Sequence, residues 1–279
     1  MTQRTVERII RSVPASDGAG VKLRRSLGQA QAVRLDPFLM LDEFSSDNAD
    51  DYIAGFPSHP HRGFETVTYI LDGHMLHEDH LGNRGDLRSG GVQWMTAGRG
   101  IIHSEMPQQD RGRMRGFQLW INLPAREKMK PAGYRDLQAA DIPEVALAAG
   151  GRVRVIAGSL ADTDGPIAGL TTEPVYLDVH LSAGASFSHA LPRGHNAFVY
   201  PYEGGVRVGS TEVPPHSAGV LSTEGEVEIV AGAEGARLLV LAGKPLNEPV
   251  VQYGPFVMNT VEEIQQAVHD YQNGRLTAG

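Results

Sequence analysis

Short runs of alternating apolar and polar residues recur along most of the chain. Phe117, Leu119 and Ile121 interleave with Gln118, Trp120 and Asn122, and Val175, Leu177, Val179 and Leu181 interleave with Tyr176, Asp178 and His180. A period of two is that of a β-strand with one buried face. The pattern predicts strands over 66–71, 75–80, 92–96, 101–106 and 117–123. A second series is predicted over 153–157, 175–181, 197–200, 206–208, 220–222, 227–230 and 238–242. One segment has a helical period instead. Val261, Ile264, Val268 and Tyr271 form an apolar stripe, Thr260 and Glu263 make a capping box, and Gly274 supplies the stop. This helix, 260–274, is expected to pack on a barrel and carry no chemistry.

The two series read as a worn repeat. Tyr69-Ile70-Leu71-Asp72-Gly73 parallels Tyr200-Pro201-Tyr202-Glu203-Gly204 at an offset of 131, and a polar, proline-bearing stretch over 124–151 separates them. Two domains follow, 1–132 and 133–279, the second carrying the helix. The length, 279 residues, suffices for two cores, and 33 Gly with 17 Pro suit short strands joined by tight turns. There is no cysteine, so any metal must rely on His and carboxylates. The N-terminus lacks a signal-peptide core and no apolar run would span a membrane, so a cytoplasmic protein is expected. A net charge of −8 weighs against nucleic acid. The local basic zone (Arg111, Arg113, Arg115, Arg126, Lys128, Lys130 and Arg135) reads as a solvated surface around the linker, and a protein partner is its alternative use.

Candidate chemistry concentrates between Ser58 and Pro107. His59-Pro60-His61 opens this segment and His103-Ser104-Glu105 closes it. Residues two apart on a strand share a face, so two such strands side by side would converge three imidazoles and one carboxylate. Such a set suits Fe, Mn, Ni, Co, Cu or Zn better than Ca or Mg, and four protein donors leave room for a substrate. Glu65, four residues after His61, has plausible parity too, and spacing alone does not choose between it and Glu105. His77 and Asp79 share a face of the next hairpin; they line a pocket mouth or, more ordinarily, are solvated.

These motifs resemble the pirin family of the cupin superfamily. Ser58 to Thr66, Met95 to Pro107, and His77-Glu78-Asp79 followed by Gly82-Asn83 carry the likeness, which continues weakly through Glu248 to Thr260. It implies an all-β bicupin, two stacked jelly-roll barrels with a C-terminal helix and iron in the N-terminal barrel. Carried over residue by residue, it gives His59, His61, His103 and Glu105 as ligands, with Glu105 also the catalytic base. Glu65 is left to packing or to orienting a ligand. One divalent transition metal per chain is implied, iron(II) first. The implied activity resembles quercetin 2,3-dioxygenase: a flavonol cleaved with O2 in a barrel lined by Met95, Phe117 and Leu119. The alternative that the family offers is an iron-binding regulator acting on transcription factors or enzymes through protein contacts. At the offset of 131 the ligand positions fall on Ala190, Pro192, Glu234 and Ala236, so the second barrel should lack a metal, with His189 and His195 ordinary surface or loop residues.

Overall fold

Each series of strands closes into one seven-stranded and one four-stranded antiparallel sheet that share a core. The computed structural model describes residues 2–30 and 32–278. In the ligand-bearing unit the large sheet runs Gly133–Leu137, Val92–Thr96, Phe64–Asp72, Met114–Asn122, Phe38–Ser46, Val21–Arg25 and Val13–Asp17. Its small sheet runs Phe56–His61, Ile101–Pro107, His74–Asp79 and Arg84–Arg88. The other unit repeats the scheme. Its large sheet runs Val6–Arg11, Ser217–Leu221, Asn196–Glu203, Ala236–Gly243, Val175–Leu181, Gly151–Ala157 and Glu144–Ala146. Its small sheet runs Ser186–Ala190, Glu226–Ala231, Val206–Val208 and Thr211–Val213. Both are cupin barrels. No described helix is long and apolar enough to cross a membrane.

The units are not consecutive halves of the chain. Residues 1–13 and 26–37 belong with 140–245, while 246–279 belong with 14–25 and 38–139. The main crossing, 139/140, lies near the division expected at 132/133, but the helix Val261–Gln272 joins the ligand-bearing unit. Its capping box forms as the sequence predicts, with the Thr260 side chain accepting from Glu263 N and Glu263 reaching back. Of the expected stripe, Ile264 is buried against Phe256, Met258 and Leu276, with Val268 and Ile102 beside them, whereas Val261 and Tyr271 are exposed.

The two interiors differ in polarity, and the difference places the site. In the ligand-bearing unit Thr66 and Thr68 pair with Trp120 and Gln118. At the offset of 131 their counterparts are Ala197 and Val199, which pair with Ala242 and Val240 inside an apolar cluster. Hydrocarbon fills the second barrel. A fixed offset fails beyond the intervening hairpins, which are shorter in the second unit. The strand equivalent to Ile101–Pro107 is Glu226–Ala231, which ends before Glu234, and it faces Val227 and Ile229 into the core. His195 lies in a loop but is buried, and His189 is half-buried beside Phe187 on the strand Ser186–Ala190.

Candidate metal centre

The strands Phe56–His61 and Ile101–Pro107 pair with His103 opposite His59 and Ile101 opposite His61. Strand parity therefore turns all three imidazoles to one side. Their centroids lie 4.4 Å (His59–His103), 4.7 Å (His59–His61) and 4.9 Å (His61–His103) apart. One nitrogen from each ring lies within 4.8 Å of the others, and among the described residues no other trio of metal-binding side chains does so. The chain turns sharply after His61. Gly63 has φ +90°, and a Cβ there would sit 2.0 Å from Val257 O, so the turn requires glycine.

Nδ1 of His61 and Nε2 of His103 are buried without a hydrogen bond. His59 directs Nδ1 at Pro57 O, 2.8 Å away, which leaves its Nε2 free to act as donor. A buried polar atom without a partner is costly, and two in one cluster mark a place for a cation. Burial, then the His59 charge, holds His61 well below the usual imidazole range, opposed by a backbone hydrogen bond to Pro255. Burial, then His61, His59 and His77, does the same to His103. Neutral imidazole is the form that binds metal. The donor set fits a first-row divalent ion.

These depressed values have a consequence for the metal-free protein. Between them and about pH 6.5, the unfolded imidazoles take up protons that the native ones refuse, so stability rises with pH and is lost as pH falls through that window. The melting temperature should drop from pH 7 to pH 5, and the slope should flatten in a His61→Ala/His103→Ala double variant. Thermal melts in chelated buffer give both slopes; parallel slopes would contradict the assignment.

Glu105 is buried, with Oε1 2.7 Å from Thr68 Oγ1 and Oε2 accepting from Gln118 Nε2 at 3.0 Å. It stands outside the three-imidazole group as drawn. Glu65 faces the other way. It pairs with Thr96, accepts from Thr96 Oγ1 (2.6 Å) and Trp94 Nε1 (3.2 Å), and touches none of the histidines. Burial, partly offset by Thr96, holds it above the usual carboxylate range.

Three expectations are overturned. Phe117 and Leu119 pair with Tyr69 and Val67, on the face opposite Thr66 and Thr68, so they do not line the site. The site side of that strand carries Gln118 and Trp120 instead. Trp120 stands 5.3 Å from the His61 ring and Phe64 stands 5.2 Å from it, which makes an aromatic wall where Phe117 and Leu119 were expected. His77 is completely buried rather than solvated, 3.3 Å from His103. In the basic zone, Arg115 is buried beside Glu43 (3.4 Å) and Lys128 is buried too.

The C-terminal segment supports the ligand strand. Arg62, next to His61, donates to Asp270 Oδ2 (2.8 Å), Leu276 O (3.2 Å) and Arg99 O. Its backbone N–H meets Pro255 O and its carbonyl accepts from Val257 N.

Fold and site together define a two-barrel cupin with, among the described residues, one histidine trio that could hold a metal. The pirin family matches residues 20–121, and the family described as the pirin C-terminal cupin domain matches 176–277. The chain belongs to the pirin family. It is 57% identical over 270 residues, 94% of each chain, to a Pseudomonas aeruginosa protein provisionally named quercetin 2,3-dioxygenase. It is 51% identical to a pirin-like protein of Caulobacter vibrioides, covering 99% of this chain and all of that one. A crystal structure of quercetin 2,3-dioxygenase from Acinetobacter baumannii superposes with a TM-score of 0.90 at 36% identity, covering 99% of each chain.

Proposed function

We propose that this chain is a metal-dependent dioxygenase that opens a flavonol-type ring with O2. The observation that carries the reading is the trio of convergent imidazoles, two with buried unpartnered nitrogens and one on a strand that also carries a buried carboxylate gripped on both oxygens. The names of the Pseudomonas and Acinetobacter proteins support the substrate class. His59, His61 and His103 would hold the metal, iron(II) first, with Glu105 as fourth donor and proton acceptor. When bound, the metal supplies Lewis acidity toward an enolic hydroxyl and a redox partner for O2. The chain does the rest. Trp120 and Phe64 offer flat apolar faces to a planar substrate. A Glu105 oxygen takes the hydroxyl proton, while Thr68 and Gln118 fix its orientation. Burial of His61, His103 and Glu105 keeps bulk water from these groups.

A regulator acting through a protein partner is the second reading. One observation favours it: His59 alone among the four proposed donors is partly exposed, which suits a sensing site better than a wide substrate channel. Metal analysis of anaerobically purified protein, with oxygen uptake over a flavonol panel, separates the two. Flavonol-dependent uptake that vanishes on chelation is expected. Full metal occupancy with no uptake on any flavonol would defeat the enzyme reading.

Two further results are expected. Titration of metal-free protein with Fe(II) should end at one tight ion per chain, because the strands of the second barrel equivalent to those of the histidines turn Phe187, Val227 and Ile229 inward; two tight ions would refute this. Glu105→Gln should lower Fe(II) affinity and turnover by about tenfold or more, whereas Glu65→Gln should leave affinity within about threefold. The reverse order in parallel titrations would move the carboxylate donor to Glu65.

A further inference from the structure

His103 has two ring nitrogens in different surroundings. Nε2 is buried with no hydrogen-bond partner, and Nδ1 lies 3.3 Å from Nδ1 of His77. His77 in turn directs Nε2 toward Asp79 Oδ2 at 3.4 Å, both side chains being fully buried. The sheet register sets up this chain of contacts: His74–Asp79 pairs with Ile101–Pro107 so that Asp79 lies opposite His103 and His77 opposite Glu105.

Proton accounting gives the contacts a direction. A neutral imidazole carries one N–H and one lone pair. If Nε2 of His103 keeps its lone pair for a metal, its proton sits on Nδ1 and is donated to His77 Nδ1. His77 then carries its own proton on Nε2, which faces Asp79. Each nitrogen is used once. The chain ends on a fixed anion: Asp79 Oδ1 accepts from the N–H groups of Leu81 (2.9 Å) and Asn83 (3.0 Å), and Oδ2 from Asn83 Nδ2 (2.8 Å). The His77 ring has little freedom, being stacked on Tyr134 at 4.6 Å with 21° between planes.

A buried histidine with satisfied partners is usually only part of a core. What separates His77 from that ordinary case is that one partner is a ligand nitrogen and the other a buried carboxylate. Resting on the assignment of His103 as a metal donor, we infer that His77 and Asp79 are positioning residues that fix the His103 tautomer and lend it negative charge. A ligand imidazole that donates toward an anion is a better donor, and the added charge favours the more oxidised metal. The hairpin between His74–Asp79 and Arg84–Arg88 would then tune the metal without touching it.

The test is anaerobic Fe(II) titration of the metal-free full chain, with the Fe(III)/Fe(II) midpoint potential of each loaded protein. His77→Leu breaks the chain of contacts. His77→Gln keeps an acceptor for His103 and a donor for Asp79, and Asp79→Asn removes the charge and replaces one of its two acceptor oxygens with an amide NH2. His77→Leu should bind Fe(II) about ten- to a hundredfold more weakly. Its potential should rise by about 59 mV for each tenfold loss in preference for Fe(III) over Fe(II). His77→Gln should recover most of the affinity, and Asp79→Asn should raise the potential in the same direction. Unchanged affinity and potential in His77→Leu would overturn the inference, as would a glutamine variant no better than leucine. Should the leucine variant fail to fold, an unmoved potential in Asp79→Asn overturns it equally. Wild-type protein, or His103→Ala, serves as the separate check on the metal reading. No binding by wild type, or full binding by His103→Ala, sinks that reading and this inference together, whereas loss in His103→Ala with an indifferent His77→Leu sinks the inference alone.

Discussion

His103→Ala and His61→Ala should each reduce metal affinity by about two orders of magnitude or more, while both barrels still fold. A four-donor site in a small domain yields roughly 10–16 kcal/mol of apparent binding energy, so one donor is worth about 3 kcal/mol, or about two decades. Folding survives because the apolar ends of the barrels do not depend on these rings: Phe44, Ile70, Met75, Leu87 and Met114 form a separate cluster in the ligand-bearing unit. His59→Ala should cost similar affinity with less effect on metal-free stability, since His59 is the partly exposed member of the trio. Isothermal titration with Fe(II), read beside thermal melts of the metal-free variants, gives both quantities. Near-wild-type affinity in either buried variant would remove that residue from the donor set.

Lys128→Met should be strongly destabilising. The ammonium group is buried and donates to Gly63 O (2.7 Å), Asn122 Oδ1 (2.6 Å) and Val257 O (3.0 Å). Burial lowers its pKa to about 8, with Glu248 and Glu263 opposing, so at neutral pH it is still largely charged. Removing it strands three buried acceptors, at a cost of about 3 kcal/mol. For a unit of this size that is a fall of about 10 °C in melting temperature. Because Gly63 directly follows His61 and Arg62, metal affinity should fall as well. Lys22, exposed and 2.6 Å from Asp51, is the control; Lys22→Met should leave the melting temperature nearly unchanged. Equal melting temperatures for the two variants would show that the Lys128 contacts contribute nothing.

Many of the strands after residue 63, the helix with its capping box and the pairing of His59 with His61 were legible because each depends on local periodicity, whereas the strands Val6–Arg11, Val13–Asp17, Val21–Arg25 and Phe38–Ser46 were not predicted. A period of two tells which residues alternate, but not which face looks into a cavity when both faces are buried. That is why Phe117 and Leu119 drew attention and Trp120 did not. The polar partners Thr68 and Gln118, both inward, could have been found by asking why a buried strand keeps polar residues opposite one another. Charge patterning failed for Lys128 and Arg115 for a related reason. A basic run looks solvated in sequence, and only tertiary placement shows a cation used as an internal tie. The helix was legible as a helix, yet its destination was not, because no local signal encodes the ion pair between Arg62 and Asp270.

The ownership of residues 246–279 by the ligand-bearing unit also sets an order of events during synthesis. The strands with His59, His61, His103 and Glu105 leave the ribosome more than a hundred residues before Pro255, Val257 and Asp270, which hold the turn after His61. Residues 140–245, whose partners in 1–13 and 26–37 are already made, can complete their barrel first. The nascent histidines therefore wait, only partly framed, until the later segment docks. Were these histidines to hold a metal, its capture would be a late maturation step, and cells starved of the metal during translation would accumulate folded apoprotein that can still be loaded afterwards.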